Sequence, residues 1–342
     1  MPGPSEHPKG AEQPEDFELT PPKEYGKDYE GDAGGETTIE YSAGDPQDFA
    51  TNSAKTSVRW MNHDNNLMLL PSGPDVHHYQ ADTSYGSAVI FSQSASVSTK
   101  RVNQDALGFR EVATTDRINR LRIVLADGVG GGAAGDHASS GMVKGVLDRV
   151  GSEQPLASDI QEAAESLKFS TEKIGTIERR YFNDYGAGTT IAAVEISAPN
   201  NFTCCVAGDS EVALIRDGAL IFHSSPHNHL SDIYREITAT AAANGTQDID
   251  ELVRHEVLTR YGNRDKRTVV AVLSGASITR GIKFSAETDP EVEIETFSNI
   301  CYQSGDLLVI CTDGFLPSAK VNPDDLSWDL STRRTMQDIA KE

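Results

Sequence analysis

The stretch Leu121–Ser140, LRIVLADGVGGGAAGDHASS, constrains the fold more than any other. An apolar run stops at Asp127-Gly128, passes through glycines, and opens the segment HASSGMVKGVLDRV. There Ala138, Met142, Val143, Val146, Leu147 and Val150 recur at helical spacing. The pattern predicts a strand, a tight loop and a helix with one buried stripe. Gly130, Gly132 and Gly135 also satisfy G-x-G-x-x-G, the spacing of a dinucleotide loop. Two neighbours argue against that use: Asp127 would set its charge beside a pyrophosphate, and another polar helix follows where a parallel strand ending in an acid is needed. No Lys-Ser or Lys-Thr closes the glycines, which excludes a Walker-type phosphate loop.

The surrounding chain reads as short strands and helices. SAVIFSQSASV and NQDALGFREVA precede the glycine loop as strands. After the first helix, Ser158 and Gln161 make a capping-box pattern that opens a second, with Ile160, Leu167, Ile174 and Ile177 along one face. TTIAAVEI, FTCCVAG and SEVALIRDGALIFH follow, joined by tight turns at APNN and Asp217-Gly218, which implies antiparallel pairing. Helices are expected over SDIYREITATAAANG and IDELVRHEVLTRYG, then strands at TVVAVLSG, EVEIETF and GDLLVICTDGF. This order fits a packed α+β domain better than regular βαβ winding.

Charge narrows the partners. Among 342 residues, 52 acidic against 30 basic side chains give −22, which disfavours nucleic acid or an anionic membrane as a partner. Residues 1–50 carry 13 Asp/Glu against three Lys, with Pro and Gly throughout, and read as a disordered acidic tail. Residues 51–85 match no helix or strand template and read as a linker. No uncharged apolar stretch approaches the ~20 residues of a membrane helix, and the start has no signal-peptide core, so a cytoplasmic, monomeric protein is expected. Cys204, Cys205, Cys301 and Cys311 lie in apolar runs and read as reduced core residues, with Cys204 and Cys205 on opposite faces of one strand.

One device occurs twice. RIVLADG and LLVICTDG are both apolar strands that end in Asp-Gly. Strand ends can present carboxylates into a shared cleft, so Asp127 and Asp313 can meet across the fold. Oxygen donors without Cys or His suit Mg²⁺ or Mn²⁺; alternatively, each aspartate only begins a turn. His223, His227 and His229 fit no standard zinc spacing and read as surface histidines.

The series KRVNQDA, VLADGVGG, GAGTT, VAGDSEVALIRDG and LLVICTDGF, in that order from Ser87 to about Phe315, resembles the metal-dependent serine/threonine protein phosphatases of type 2C. Val129 stands where many eukaryotic members have histidine, which places the resemblance with the bacterial branch. It implies two antiparallel sheets packed face to face and flanked by helices, a four-layer αββα sandwich, over residues 86–342. The activity implied is hydrolysis of phosphoserine and phosphothreonine in proteins, with two Mn²⁺ or Mg²⁺ ions and a hydroxide bridging them as nucleophile. Phosphorylated proteins are the implied substrates, and a cognate kinase the implied counterpart.

By family position, Asp127 bridges the ions, Gly128 offers its carbonyl, Asp313 holds one ion, and Asp105 sits beside them and orients their waters. Gln104 stands where glutamate is frequent. Strict spacing assigns the phosphate grip to Lys100; a slip of one residue assigns it to Arg101, whose planar fork matches two oxygens better and which completes the catalytic set with Asp105 and Asp127. The resemblance makes Asp209 of AGDS a structural residue at a strand turn.

The family's closing strand, with its D-N-x-T aspartate, has no counterpart after Asp313, and Asp324, Asp325 and Asp329 are substitutes without motif support. RDKRTVVAV, from Arg264, reads instead as the segment leading into the lid region. The domain is therefore expected to be C-terminally incomplete or degenerate. The alternative to an active enzyme is a pseudophosphatase, a phosphoprotein-binding regulator without turnover.

Overall fold

A computed structural model describes residues 59–60, 68–69, 77–92, 104–113, 119–129, 135–167, 187–244, 248–284, 289–316, 319–329, 331 and 333–341. All fall within one compact unit, Thr51–Glu342. Strands β1 (Asp105–Ala113) and β2 (Asn119–Asp127) pair antiparallel in unbroken register, from Ala113 opposite Asn119 to Asp105 opposite Asp127. Helix α1 (Gly135–Leu147) forms as its stripe predicts: Ala138, Met142, Val143, Val146 and Leu147 are fully buried.

Helix α2 (Leu156–Ser166) corrects the expected start. Pro155 is its N-cap, at φ −59°, and no side chain caps it; Ser158 lies inside the first turn, so the capping-box pattern is not used. The proline ring presets the helical φ, and Leu156 enters the core immediately after it. Ile160 is buried on the expected face, while Ile174 and Ile177 lie outside the described residues.

Strands β3 (Ile191–Ala198), β4 (Asn201–Ala207), β5 (Glu211–Arg216) and β6 (Ala219–His223) follow. Asp217 and Gly218 both take positive φ, 50° and 78°, as a two-residue hairpin turn requires. Helices α3 (His229–Asn244), α4 (Ile249–Tyr261) and α5 (Lys266–Leu273) come next. The last corrects the strand expected at TVVAVLSG. Asp265 caps it, its Oδ1 accepting from the Thr268 amide at 3.0 Å. Val269, Val272 and Leu273 then pack at helical spacing with Leu230, Ile233, Val253 and Val257. That packing overrides the β preference of the threonine and valines.

Strands β7 (Glu295–Cys301) and β8 (Leu307–Cys311) and helix α6 (Met336–Lys341) complete the layers. One sheet has the order β7-β4-β3-β2-β1 and a second β6-β5-β8, with every pairing antiparallel. The glycine loop thus follows a strand held between two antiparallel neighbours, not a parallel dinucleotide-binding strand. Alternation sorts each strand's residues. Val124 and Ala126 join the core under α1 and α2, whereas Phe109, Leu121, Val194, Phe202, Val212 and Leu214 form a second core that Leu308 and Ile310 border. Cys205 enters the first core and Cys204 the second, as their opposite faces predict. Met336 of α6 packs with Ala213 and Cys311 on the outer side of the smaller sheet. Helix, sheet, sheet, helix is the layering the resemblance implies.

Two expectations are corrected at the edges. All four cysteines are free thiols, but Cys301, at the end of edge strand β7, is exposed. Strands also form where residues 51–85 offered no template, at Arg59–Trp60, Met68–Leu69 and His77–Thr83. The last pairs with Gly86–Ser92, so its partner rather than its own alternation sets it. Among the described residues no helix is long and apolar enough to cross a membrane.

A charge is buried in the middle of β2. Arg122 is fully inaccessible; its guanidinium donates to Glu195 of β3 (2.9 Å), Asp159 of α2 (2.7 Å) and the Val146 carbonyl of α1 (2.9 Å). One side chain therefore ties two strands to two helices. Arg122→Ala leaves two buried carboxylates uncompensated and is expected to cost about 3–5 kcal/mol in urea unfolding.

Candidate functional site

Register builds the site. Residues directly opposite in an antiparallel pair share a face, so Asp105 and Asp127 project together, on the side that carries Phe109 and Leu121 toward the second sheet. Their carboxyl groups hydrogen-bond to each other, and Thr312 also bonds Asp105. Asp313 comes from that second sheet: it opens the turn Asp313–Phe315 just past β8 and is exposed at the rim. The two strand-end aspartates thus meet, as their repeated pattern predicts. They share a cleft of about 320 Å³ with Gln104, Gly128, Val129, Thr190, Asp209, Ala276 and Ile278.

The end of β2 is held by its main chain. The Asp127 amide donates to Thr190 Oγ1 (3.0 Å), its carbonyl accepts from the Thr190 amide (2.8 Å) and Thr189 Oγ1 (2.9 Å), and the Gly128 amide donates to the Gln104 carbonyl (3.0 Å). A Cβ on Gly128 would lie 2.4 Å from the Gly135 carbonyl carbon and oxygen. Glycine is required there because the first turn of α1 crosses against the strand end.

Burial and repulsion dominate the electrostatics. Burial first, then the charges of Asp105, Asp313 and Asp209, raise the Asp127 pKa; burial likewise raises Asp105, with Asp313 adding to it. Asp209 is pushed up to about 7, by burial and then by Asp313. Among the described residues, the charges that raise the Asp127 pKa are all carboxylates. Such crowding is what divalent cations offset, and carboxylate and carbonyl oxygens suit hard ions, so the donor chemistry fits Mn²⁺ or Mg²⁺. Among the described residues no three acidic, histidine or cysteine groups already form a finished ligand set.

Lys100 and Arg101 lie outside the described residues. The suggested substitutes for the closing aspartate do not reach the cleft: Asp324 and Asp325 are exposed between Lys320–Val321 and Trp328–Asp329, where Asp325 accepts from the Ser327 amide, and Asp329 accepts from that of Ser331. Asp265, with Thr268, is the cap of α5. The histidines do not converge. His223 pairs with Glu211 and His229 with Tyr261, but His227 is buried, which corrects its reading as a surface residue.

Sequence reasoning passed over Asp209, Ala276 and Ile278 as cleft residues. Asp209 had a signal: FTCCVAGD is a further apolar strand ending in glycine and aspartate, the order of the two reversed.

A family profile described as Protein phosphatase 2C matches residues 93–341, and the chain belongs to that family. Among solved structures it is similar to the serine/threonine phosphatase Stp1 from Staphylococcus aureus (16% identity, 75% of this chain and 81% of that one, TM-score 0.40). It is also similar to the PPM Ser-Thr phosphatase MsPP from Mycobacterium smegmatis, in complex with cacodylate (19%, 71% and 79%, TM-score 0.37). A third is the catalytic domain of the serine threonine protein phosphatase PstP, in complex with two manganese ions (18%, 72% and 79%, TM-score 0.34). None of the curated proteins matches the chain.

The raised Asp209 pKa fixes a sign. Between the ordinary 3.8 and about 7 the folded state holds more protons than the unfolded one, so this group's contribution to stability falls as pH rises. In chelator, Asp209→Asn is expected to be more stable than the parent at pH 8 and indistinguishable at pH 4. The intervening slope, at most about 1.4 kcal/mol per pH unit, is read by urea unfolding.

Proposed function

We propose that the chain hydrolyses phosphoserine and phosphothreonine in proteins, with two Mn²⁺ or Mg²⁺ ions held by Asp127, the Gly128 carbonyl and Asp313, beside Asp105. The observation that carries this reading is the meeting of Asp127 and Asp313 from two sheets at one cleft, with Asp105 directly opposite Asp127 in register, in a chain of the 2C family. When bound, the ions supply a water ionised near neutral pH and offset charge on the phosphoryl oxygens.

The chain's own residues supply the rest. Thr189 and Thr190 fix the main chain under Asp127, so its carboxylate starts from a rigid strand end. Asp105 lies within hydrogen-bond reach of Asp127 and orients water beside it. Val129, Ala276 and Ile278 give the cleft an apolar side that keeps bulk water from the ester. Arg101, or Lys100 one residue earlier, grips the phosphoryl oxygens. The exposed rim at Asp313, Gly314 and Phe315 suits a phosphorylated side chain presented on another protein's surface. The net charge of −22 favours soluble partners over nucleic acid, in keeping with a cytoplasmic monomer acting opposite a kinase.

A second reading, phosphoprotein binding without turnover, is favoured by Asp324, Asp325 and Asp329 lying away from the cleft, so that none of these three stands in for the closing aspartate. Phosphate release from a phosphothreonine peptide in Mn²⁺ decides between the two. Asp127→Ala and Asp313→Ala are each expected to slow it at least 100-fold. A parent chain no faster than Asp127→Ala, yet still binding the peptide, establishes the second reading instead.

A further inference from the structure

Two walls of the cleft come from distant segments, the Gly208-Asp209 turn and Ala276–Ile278, and His227 is bonded to both. Its amide donates to the Gly208 carbonyl (2.9 Å), and the Gly208 amide donates back to His227 Nδ1 (3.3 Å). On the other side the Thr279 amide donates to the His227 carbonyl (2.8 Å), Asn228 bridges Ile278, and the His229 amide donates to the Ser277 carbonyl (3.0 Å). An Nδ1 that accepts leaves the ring proton on Nε2, which lies 2.8 Å from Glu295 Oε2.

The turn is itself seated on the strand-end network. Gly208 adopts φ +100°, and a Cβ there would lie 2.5 Å from Thr190 Cγ2. Thr190 Oγ1 accepts from the Asp127 amide and bonds Ser210 Oγ (2.7 Å). Contacts therefore run from Asp127 through Thr190 to the Gly208 turn and His227, and on to the segment bearing Ile278.

We propose that His227 is a positioning residue for phosphoester hydrolysis: its neutral ring, protonated on Nε2, sets the spacing between the Asp209 and Ile278 walls in which a phosphorylated side chain sits. This rests on the phosphatase reading above. A ring needed only to fill volume has no use for two directed bonds, whereas here Nδ1 accepts from the Gly208 amide of one wall and Nε2 faces Glu295, while the residue's main-chain carbonyl holds the other wall. Loss of the acceptor lets the Asp209 turn drift, and misplacement near 1 Å costs up to about 100-fold in rate.

Isosteres divide the two ring nitrogens. In the full chain with Mn²⁺ and a phosphothreonine peptide, His227→Asn keeps an acceptor at the Nδ1 position, and its kcat is expected to stay within threefold of the parent. His227→Gln reaches toward Glu295 but lacks that acceptor; its kcat is expected to fall at least tenfold with KM within threefold. Glu295→Lys, at a part-exposed side chain, turns the partner of Nε2 into a donor and forces the ring proton toward Gly208. It should lower kcat tenfold with no change to the buried residue, while Glu295→Gln leaves kcat unchanged, so the inference is tested even if His227→Gln does not fold.

Equal losses in the Asn and Gln variants, or an unaltered kcat in Glu295→Lys, overturn the proposal. If the parent itself shows no turnover, the phosphatase reading fails and amide exchange decides the positioning role separately. The Gly208 amide is expected to exchange at least tenfold faster in Glu295→Lys than in parent or Glu295→Gln, and equal rates refute the role.

Discussion

The structure depends on the antiparallel pairing of β2 with strands on both sides. Because side chains alternate with a period of two, that register settles at once which residues meet the helices and which meet the second sheet. Val124 and Ala126, with Arg122, fall on the helix side; Leu121 and Asp127 fall on the other. A slip of one residue would drive Arg122 into the apolar layer between the sheets and turn Asp127 away from Asp313. The buried guanidinium, with carboxylates waiting on α2 and β3, makes that slip prohibitive. A charge far from the cleft thus guards the placement of the carboxyl groups within it.

Features fixed by local pattern were legible before the structure; features fixed by a distant partner were not. The stripe of α1 and the Asp217-Gly218 hairpin are written in consecutive residues, and both formed. TVVAVLSG has β-forming residues, yet its fate lay with Leu230, Ile233, Val253 and Val257, which gave its apolar positions a helical use. Ser158 carried a cap signature that the proline three residues earlier pre-empted. His227 sits in a polar stretch with the composition of a surface loop; only the return of Gly208 and the arrival of Thr279 make it interior.

The same division runs through the site. Asp127 and Asp313 were found because each ends an apolar strand and is followed by glycine, a local arrangement. That Asp105 stands directly across from Asp127 is a fact of register, and that Asp209 lines the same cleft is a fact of how the sheets stack. Gly128 shows how one residue can be right for an unforeseen reason: its missing Cβ makes room for the backbone of Gly135.

If the chain acts as proposed, the crowding of Asp105, Asp127, Asp209 and Asp313 also sets an order of events. A phosphate ester carries negative charge, and the described groups that crowd Asp127 are carboxyls, within a chain of net charge −22. Substrate and bare protein repel one another at the place where they must touch. Cations therefore have to arrive first, and each one that enters converts a repulsive surface into a receptive one. Under the proposed function, occupancy by divalent ions becomes a licence for recognition as well as for reaction, so the supply of free cation would set the fraction of molecules able to engage a phosphoprotein at all.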